Sequence, residues 1–284
     1  MNRENKNIPI AEFDRENRND FALTSLESLS EDREVHSHDF YAVIWFERGR
    51  GEHIIDFKSY EITPGRFHFL APGKVHTMRL EEPMHGQALS FPESFLTGPE
   101  NRSPLWHRYP FFSYYRHAEF VPEENETALF RSMVTDIEEE ASGSYEDRFG
   151  AIQQILNLLL IRINRRYGPG AGDNSGVDRK EQAYFRDFMM LLHEHFRTER
   201  SVGFYARRLG ITASHLSACA RTVSGLPISR LIQERTVLEI KRMLRYSELP
   251  VYKISDELRF EDAAYLTKFF KKHTGQTPRE FRGV

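Results

Sequence analysis

The stretch "FKKHTGQTPREFR", residues 270–282, sets Lys271, Lys272, Arg279 and Arg282 among aromatics, a glycine and a proline. Such a segment has two readings. It is a solvated helix face followed by a turn, or it is a surface whose ammonium and guanidinium groups meet phosphate. The charge distribution decides between them. Residues 1–178 hold 19 Lys and Arg against 30 Asp and Glu, whereas residues 179–284 hold 20 against 12, so a formal net charge of -3 conceals an acidic part joined to a basic one. A local positive field attracts a polyanion even when the whole chain is acidic.

Composition narrows the remaining classes. With 284 residues, 39% hydrophobic and 29% charged, the chain is long enough for two soluble domains. No stretch of eighteen or more apolar residues occurs, and no basic-then-apolar leader opens the chain, so the expectation is a cytoplasmic protein without a membrane segment. The single cysteine, Cys219, excludes an intrachain disulfide framework and a cysteine-rich metal site. No hydrolase triad, phosphate loop or paired-carboxylate site is present, and the expectation is that the protein is not an enzyme.

The elements that must position the basic residues follow from periodicity. After a polar start, "YAVIWF", "EHIIDF" and "RFHFL" are short β-rich runs separated by Gly, Lys and Pro-Gly turns, the spacing of a compact antiparallel barrel or sandwich. Beyond Pro122 the period becomes helical, and in the helix expected from Asp147 to Tyr167 the residues Ile152, Ile155, Leu156, Leu159 and Ile163 make an apolar series. That series exceeds what one face against a small barrel requires, so it is expected to be the contact of a homodimer. "GPGAGDNSGVD" lacks any apolar period and reads as a linker. The expected division is a sensing and association domain at 1–167, a linker at 168–178 and a helical domain at 179–284.

Within the helical part a unit recurs. Ala206, Leu209 and Ile211 match Ser255, Leu258 and Phe260 at an offset of 49, and Leu216 and Gly225 match Leu266 and Gly275 at an offset of 50. Each copy reads as a short helix, a tight turn and a second helix, with Thr212 and Asp262 as N-caps of the second helices. A helix held in this way exposes side chains at its N-terminal end to the major groove.

Residues 201–282, and above all "ISDELRFEDAAYLTKFFKKHTGQTPREFR", resemble the double helix-turn-helix domain of the arabinose-operon regulator (AraC-type) family. The resemblance implies a sequence-specific transcription regulator on double-stranded promoter DNA, with RNA polymerase as a possible further partner. It implies base-facing roles for Ser214, His215, Ser217 and Ala218 in the first unit and for Ala263, Ala264, Thr267 and Lys268 in the second, with Arg221, Lys271 and Lys272 at the DNA backbone. Arg259 stands where the family commonly has glycine, and a right-handed turn is expected there.

The segment His36 to His76 resembles the cupin-like sensing domain commonly attached to that module. The fold class is therefore mixed, a β barrel with associated helices followed by an all-α domain. In a metal-using cupin, clustered imidazoles are joined by a carboxylate. Here His36, His38 and His76 could converge, but Val43 stands where the resemblance would place the glutamate and Glu47 is displaced, so no metal or cofactor is expected. The competing readings are a metal-dependent cupin enzyme with a binding appendage and a non-enzymatic scaffold. A small organic effector is the favoured partner, with His36, His38, Phe40, Trp45, Phe67, Phe69 and His76 as candidate contacts; the aromatics read equally well as barrel core.

Overall fold

The computed structural model describes residues 10–13, 20–28, 35–97, 104–167 and 179–283. The chain divides into two compact units, residues 8–172 and the C-terminal part from residue 173. The expected linker, 168–178, lies outside the described residues.

The first unit begins with β1 (Ile10–Ala11), β2 (Ala22–Ser25) and β3 (Ser37–His38). Next come β4 (Tyr41–Arg48), β5 (Gly51–Ile55), β6 (Lys58–Ile62), β7 (Phe67–Leu70), β8 (His76–Leu80) and β9 (His85–Phe91). Short helices α1 (Glu93–Thr97) and α2 (Leu105–Arg108) lead to β10 (Glu119–Phe120), and two long helices follow, α3 (Glu124–Ser142) and α4 (Arg148–Arg166). One antiparallel sheet runs β10-β7-β4-β9-β2 and a second runs β6-β5-β8, while β1 and β3 pair in parallel.

Strand alternation sorts the side chains into two cores. Along β4, Ala42, Ile44 and Phe46 point between the sheets and pack with Ile55, Tyr60, Ile62, Leu70 and Met78. Tyr41, Val43 and Trp45 point the other way, onto a larger core closed by α3 and α4. Gly86 allows β9 to lie this close to β4: its φ is 141°, and a Cβ there would stand 2.0 Å from the Trp45 carbonyl oxygen.

The second unit is helical: α5 (Arg179–His195), α6 (Val202–Arg208), α7 (Ala213–Ser224), α8 (Ile228–Tyr246), α9 (Val251–Glu257), α10 (Ala263–Thr274) and α11 (Pro278–Arg282). The expected caps form, with Thr212 accepting from the His215 amide and Asp262 from the Tyr265 amide. Both helices end on left-handed glycines, Gly225 and Gly275. Helix α8 joins the two helix-turn-helix units. It is stiffened by Glu239, which is buried between Arg235 at 3.0 Å and Arg197 at 2.7 Å. Burial alone would push this carboxyl up, but the two guanidiniums hold it below the usual carboxylate range.

The turn between α9 and α10 differs from the expectation. Arg259 is left-handed at φ 47°, matching Gly210 at φ 67° in the first unit, because the duplicated turn keeps its backbone while the residue changes. A second correction concerns α4. Ile152, Leu156, Leu159 and Ile163 are fully buried within their own subunit, and Ile155 packs half-buried beside them. The sheet and α3 together cover more of this helix than a barrel edge alone would, so these residues are core and cannot meet a second copy. On the same helix Leu158 faces outward and is 44% exposed.

Candidate DNA interface and ligand cavity

The reading faces of α7 and α10 are equivalent position by position. Helical spacing places Ser214, Ser217, Ala218 and Arg221 on one side of α7, opposite buried Leu216, Cys219 and Ala220. An offset of 50 places Ala264, Thr267, Lys268 and Lys271 on the corresponding side of α10, opposite Leu266 and Phe270. Ser217 and Thr267 each donate their hydroxyl to the carbonyl four residues back, Ala213 at 2.8 Å and Ala263 at 2.7 Å, which leaves their oxygens as acceptors toward the outside. Lys272 is exposed on the flank of that face, and Ala263 lies half-buried at its start.

His215 is placed differently from the other base-facing expectations. It is exposed but leans sideways, with its ring 5.5 Å from that of Tyr184 and Nε2 3.8 Å from Cys219 Sγ. Its counterpart in the second unit is Tyr265, 50% exposed with its ring 5.9 Å from Phe260, a position the sequence reading passed over. The signal was available in the offset, since Tyr265 is residue 215 moved by the same 50. The two faces also differ in charge. Lys268, Lys271 and Lys272 lie on or beside the second, against Arg221 alone on the first.

In the first unit a cavity of about 140 Å³ lies between the sheets, and His36, His38, Phe40 and His76 line it together with Thr24 and Ser90. Trp45, Phe67 and Phe69 do not. They are on the helix-covered side of the sheet, because odd-numbered positions of β4 and β7 point away from the barrel interior. His53 and His68 occupy interior positions instead, the latter between the two outward phenylalanines, so strict alternation in "RFHFL" would have revealed it.

The imidazoles form a connected set. His53 Nδ1 lies 3.0 Å from His68 Nδ1, and His53 Nε2 lies 3.0 Å from His76 Nδ1. His38 Nδ1 donates to the Phe40 carbonyl at 2.8 Å, and its ring stacks on Phe40 at 4.2 Å. Burial is the largest influence on all of them. It lowers His38 to about 4, with the nearby His36 adding to the effect and the Phe40 carbonyl opposing it. It also lowers His68 to about 3, helped by the Arg66 charge, and holds His53 well below the ordinary histidine value. Val43 faces the helix-side core, and Glu47 is committed to Arg131 at 2.8 Å, so neither carries a carboxylate to the cavity. Among the described residues no group of three or more His, Cys, Asp or Glu is arranged to hold a metal ion.

Comparison with known proteins agrees with this architecture. Residues 20–158 match the AraC-like ligand binding domain, and residues 205–283 match the helix-turn-helix domain. The chain belongs to the AraC family of transcription regulators, with an N-terminal ligand-binding domain and a C-terminal helix-turn-helix DNA-binding domain. The HTH-type transcriptional activator RhaS of Salmonella arizonae is 24% identical over 257 residues, covering 87% of this chain and 86% of the relative. RhaS of Escherichia fergusonii is 22% identical over 253 residues with the same shares covered. Among solved structures, ToxT from Vibrio cholerae aligns over 93% of this chain and 98% of its own at 12% identity, with a TM-score of 0.44.

Proposed function

We propose that this protein is a cytoplasmic transcription regulator that binds promoter DNA through α7 and α10, changes its DNA affinity when a small organic effector enters the barrel cavity, and acts as a homodimer. The observation that carries the reading is the pair of equivalent exposed faces, Ser214, Ser217, Ala218 and Arg221 on one helix and Ala264, Thr267, Lys268 and Lys271 on the other. Two reading helices joined by one rigid helix fit two successive major-groove segments of one duplex. The lysines of the second unit supply sequence-independent affinity, and the short side chains of both supply base-edge and thymine-methyl contacts. The relatives are named as transcriptional activators, which favours this reading over the enzyme alternative and makes contact with RNA polymerase a natural extension. No helix among the described residues is long and apolar enough to cross a membrane.

Selection of bound fragments from the genomic DNA of the source organism, followed by titration across salt concentrations, tests the proposal. The expected result is a short set of fragments preferred over random duplex by about a thousandfold or more. Equal affinity for all fragments would reject sequence-specific regulation.

A further inference from the structure

The hydrogen-bond polarity of the barrel cavity is fixed tightly enough to name the class of molecule it accepts. A carbonyl oxygen only accepts, so the 2.8 Å contact between His38 Nδ1 and the Phe40 carbonyl assigns the ring proton to Nδ1. Burial keeps His38 uncharged at neutral pH, so the ring has a single proton and Nε2 is a bare acceptor. His38 lines the cavity, which has no Asp, Glu, Lys or Arg in its lining.

His76, on the same cavity, behaves differently. It is the end of a relay through His53 to His68, two contacts of 3.0 Å each. With one proton per ring, His53 donates either to His68 or to His76, never to both. When His53 donates to His68, its Nε2 accepts from His76 Nδ1, and His76 Nε2 carries no proton. When His53 donates to His76, the His76 proton moves to Nε2 and is offered as a donor. The relay therefore lets His76 match either polarity, as the rotating hydroxyls of Thr24 and Ser90 also do.

We infer that the cavity takes a neutral, hydroxyl-bearing molecule, a sugar, polyol or phenol, whose hydroxyl donates to His38 Nε2 while a second oxygen engages His76. The inference rests on the effector reading above. A carboxylate or phosphate brings only acceptors and would meet the His38 lone pair with its charge stripped of water. An ammonium ion would find a donor-compatible nitrogen but no counter-charge. A hydroxyl satisfies the fixed acceptor and accepts from His76 in its donating form. Size agrees, since about 140 Å³ holds only a handful of non-hydrogen atoms, and a neighbouring chamber of about 440 Å³, which shares Thr24, Phe40 and Ser90, has room for the remainder against Phe13, Phe21 and Phe149.

The test uses the full chain and matched probes that differ in charge: galactose against galacturonate, and benzyl alcohol against benzoate and benzylamine. Thermal shift and titration read binding, and nitrogen NMR of histidine-labelled protein reads the ring protons. The expected result is a His38 ring protonated at Nδ1, a neutral member of at least one set binding about tenfold or more tighter than its charged partners, and a shift of the His38 Nε2 resonance on binding. His38→Phe should lose about tenfold in affinity, and His38→Gln, which keeps an acceptor, should lose less. Should His38→Phe fail to fold, the tautomer and the probe ranking in the unaltered protein still decide. Charged members binding as well as neutral ones, no member binding, or an Nε2-protonated His38 overturns the inference. DNA affinity is measured alongside: a charged probe that alters it leaves the effector reading intact and removes this ligand class, whereas a neutral probe that binds without altering it does the reverse.

Discussion

Arg200, in the connection ahead of α6, donates to the carbonyl of Arg259 in the turn of the other helix-turn-helix unit, and its Nη1 reaches the Leu258 carbonyl at 2.8 Å. The same guanidinium lies 4.0 Å from the centre of the Phe260 ring. Helix α8 is the covalent link between the units, and this side chain is a second tie between them. Its two donors match two successive carbonyls that the left-handed Arg259 turns outward.

Loss of the tie should affect DNA reading more than folding. Arg200→Ala removes two charge-assisted hydrogen bonds and a cation–π contact, and is expected to destabilise the C-terminal unit by about 1–3 kcal/mol. Arg200→Lys should recover less than half, since an ammonium does not span both carbonyls. The informative readout is a series of sites with one base pair added or removed between the two recognised segments. The wild type should discriminate sharply among them and Arg200→Ala should not. Equal discrimination by both proteins would make the tie merely stabilising.

Arg259 itself holds a conformation that glycine adopts more readily, and its side chain is exposed. Arg259→Gly should therefore leave DNA binding intact and raise the denaturation midpoint by an amount equivalent to roughly 0.5–1 kcal/mol, the relief of left-handed strain exceeding the added chain entropy. A fall of that size in urea denaturation would mean that the stem of Arg259 packs usefully.

The fold was legible where periodicity had no competitor. Thr212 and Asp262 announce helix starts, and the offset between the two helical units overlays their reading faces residue by residue. Two features were not legible, and each depends on a contact made far away in sequence. Whether Trp45, Phe67 and Phe69 face a cavity or a helix depends on α3 and α4 covering one side of the sheet. The apolar series of α4 looked excessive only because its partners, α3 and the sheet, could not be counted from the helix alone. The handedness at Arg259 was hidden for a similar reason, since the turn geometry is inherited from a glycine position and not set by arginine.

Lys271 lies on the reading face of α10 one turn beyond Thr267, where the DNA backbone is expected. Lys271→Ala should weaken binding by a similar factor on every sequence and lower the slope of log affinity against log salt by about 1. Ser214→Val should instead change the ranking of sequences with little effect on that slope. A sequence-selective loss at Lys271 would move it from backbone to base contact.

The buried imidazoles make the first unit sensitive to acid. His38 titrates near 4 in the folded chain against 6.5 for the ordinary side chain, so between these values the unfolded chain binds a proton that the folded one does not. The contribution is present in full above 6.5 and is lost as pH falls toward 4, on the order of 3 kcal/mol from His38. His68 and His53 act in the same direction. Both tryptophans, Trp45 and Trp106, lie in the first unit, so their fluorescence follows its unfolding alone. Urea midpoints by tryptophan emission should drop steeply over this window, and His38→Gln should flatten the drop. A midpoint independent of pH would show that the rings are already solvated.

Association is expected through the outward side of α4, and neighbouring positions on that helix separate it from core packing. Leu158 is 44% exposed whereas Leu159, one residue on, is fully buried against the sheet and α3. Leu158→Asp places a charge on the surface of a folded subunit, so it should leave the tryptophan emission unchanged and shift sedimentation from dimer toward monomer at micromolar concentration. Leu159→Asp buries an unpaired carboxylate in the helix-side core, and should unfold the first unit outright rather than merely separate subunits. Leu159→Ala should cost about 2–5 kcal/mol and leave association unaltered in whatever fraction remains folded. If Leu158→Asp sediments like the wild type, the contact lies elsewhere on the molecule. A folded, monomeric Leu159→Asp would instead restore the buried series as the interface, and would require α4 to detach from its own sheet to form it.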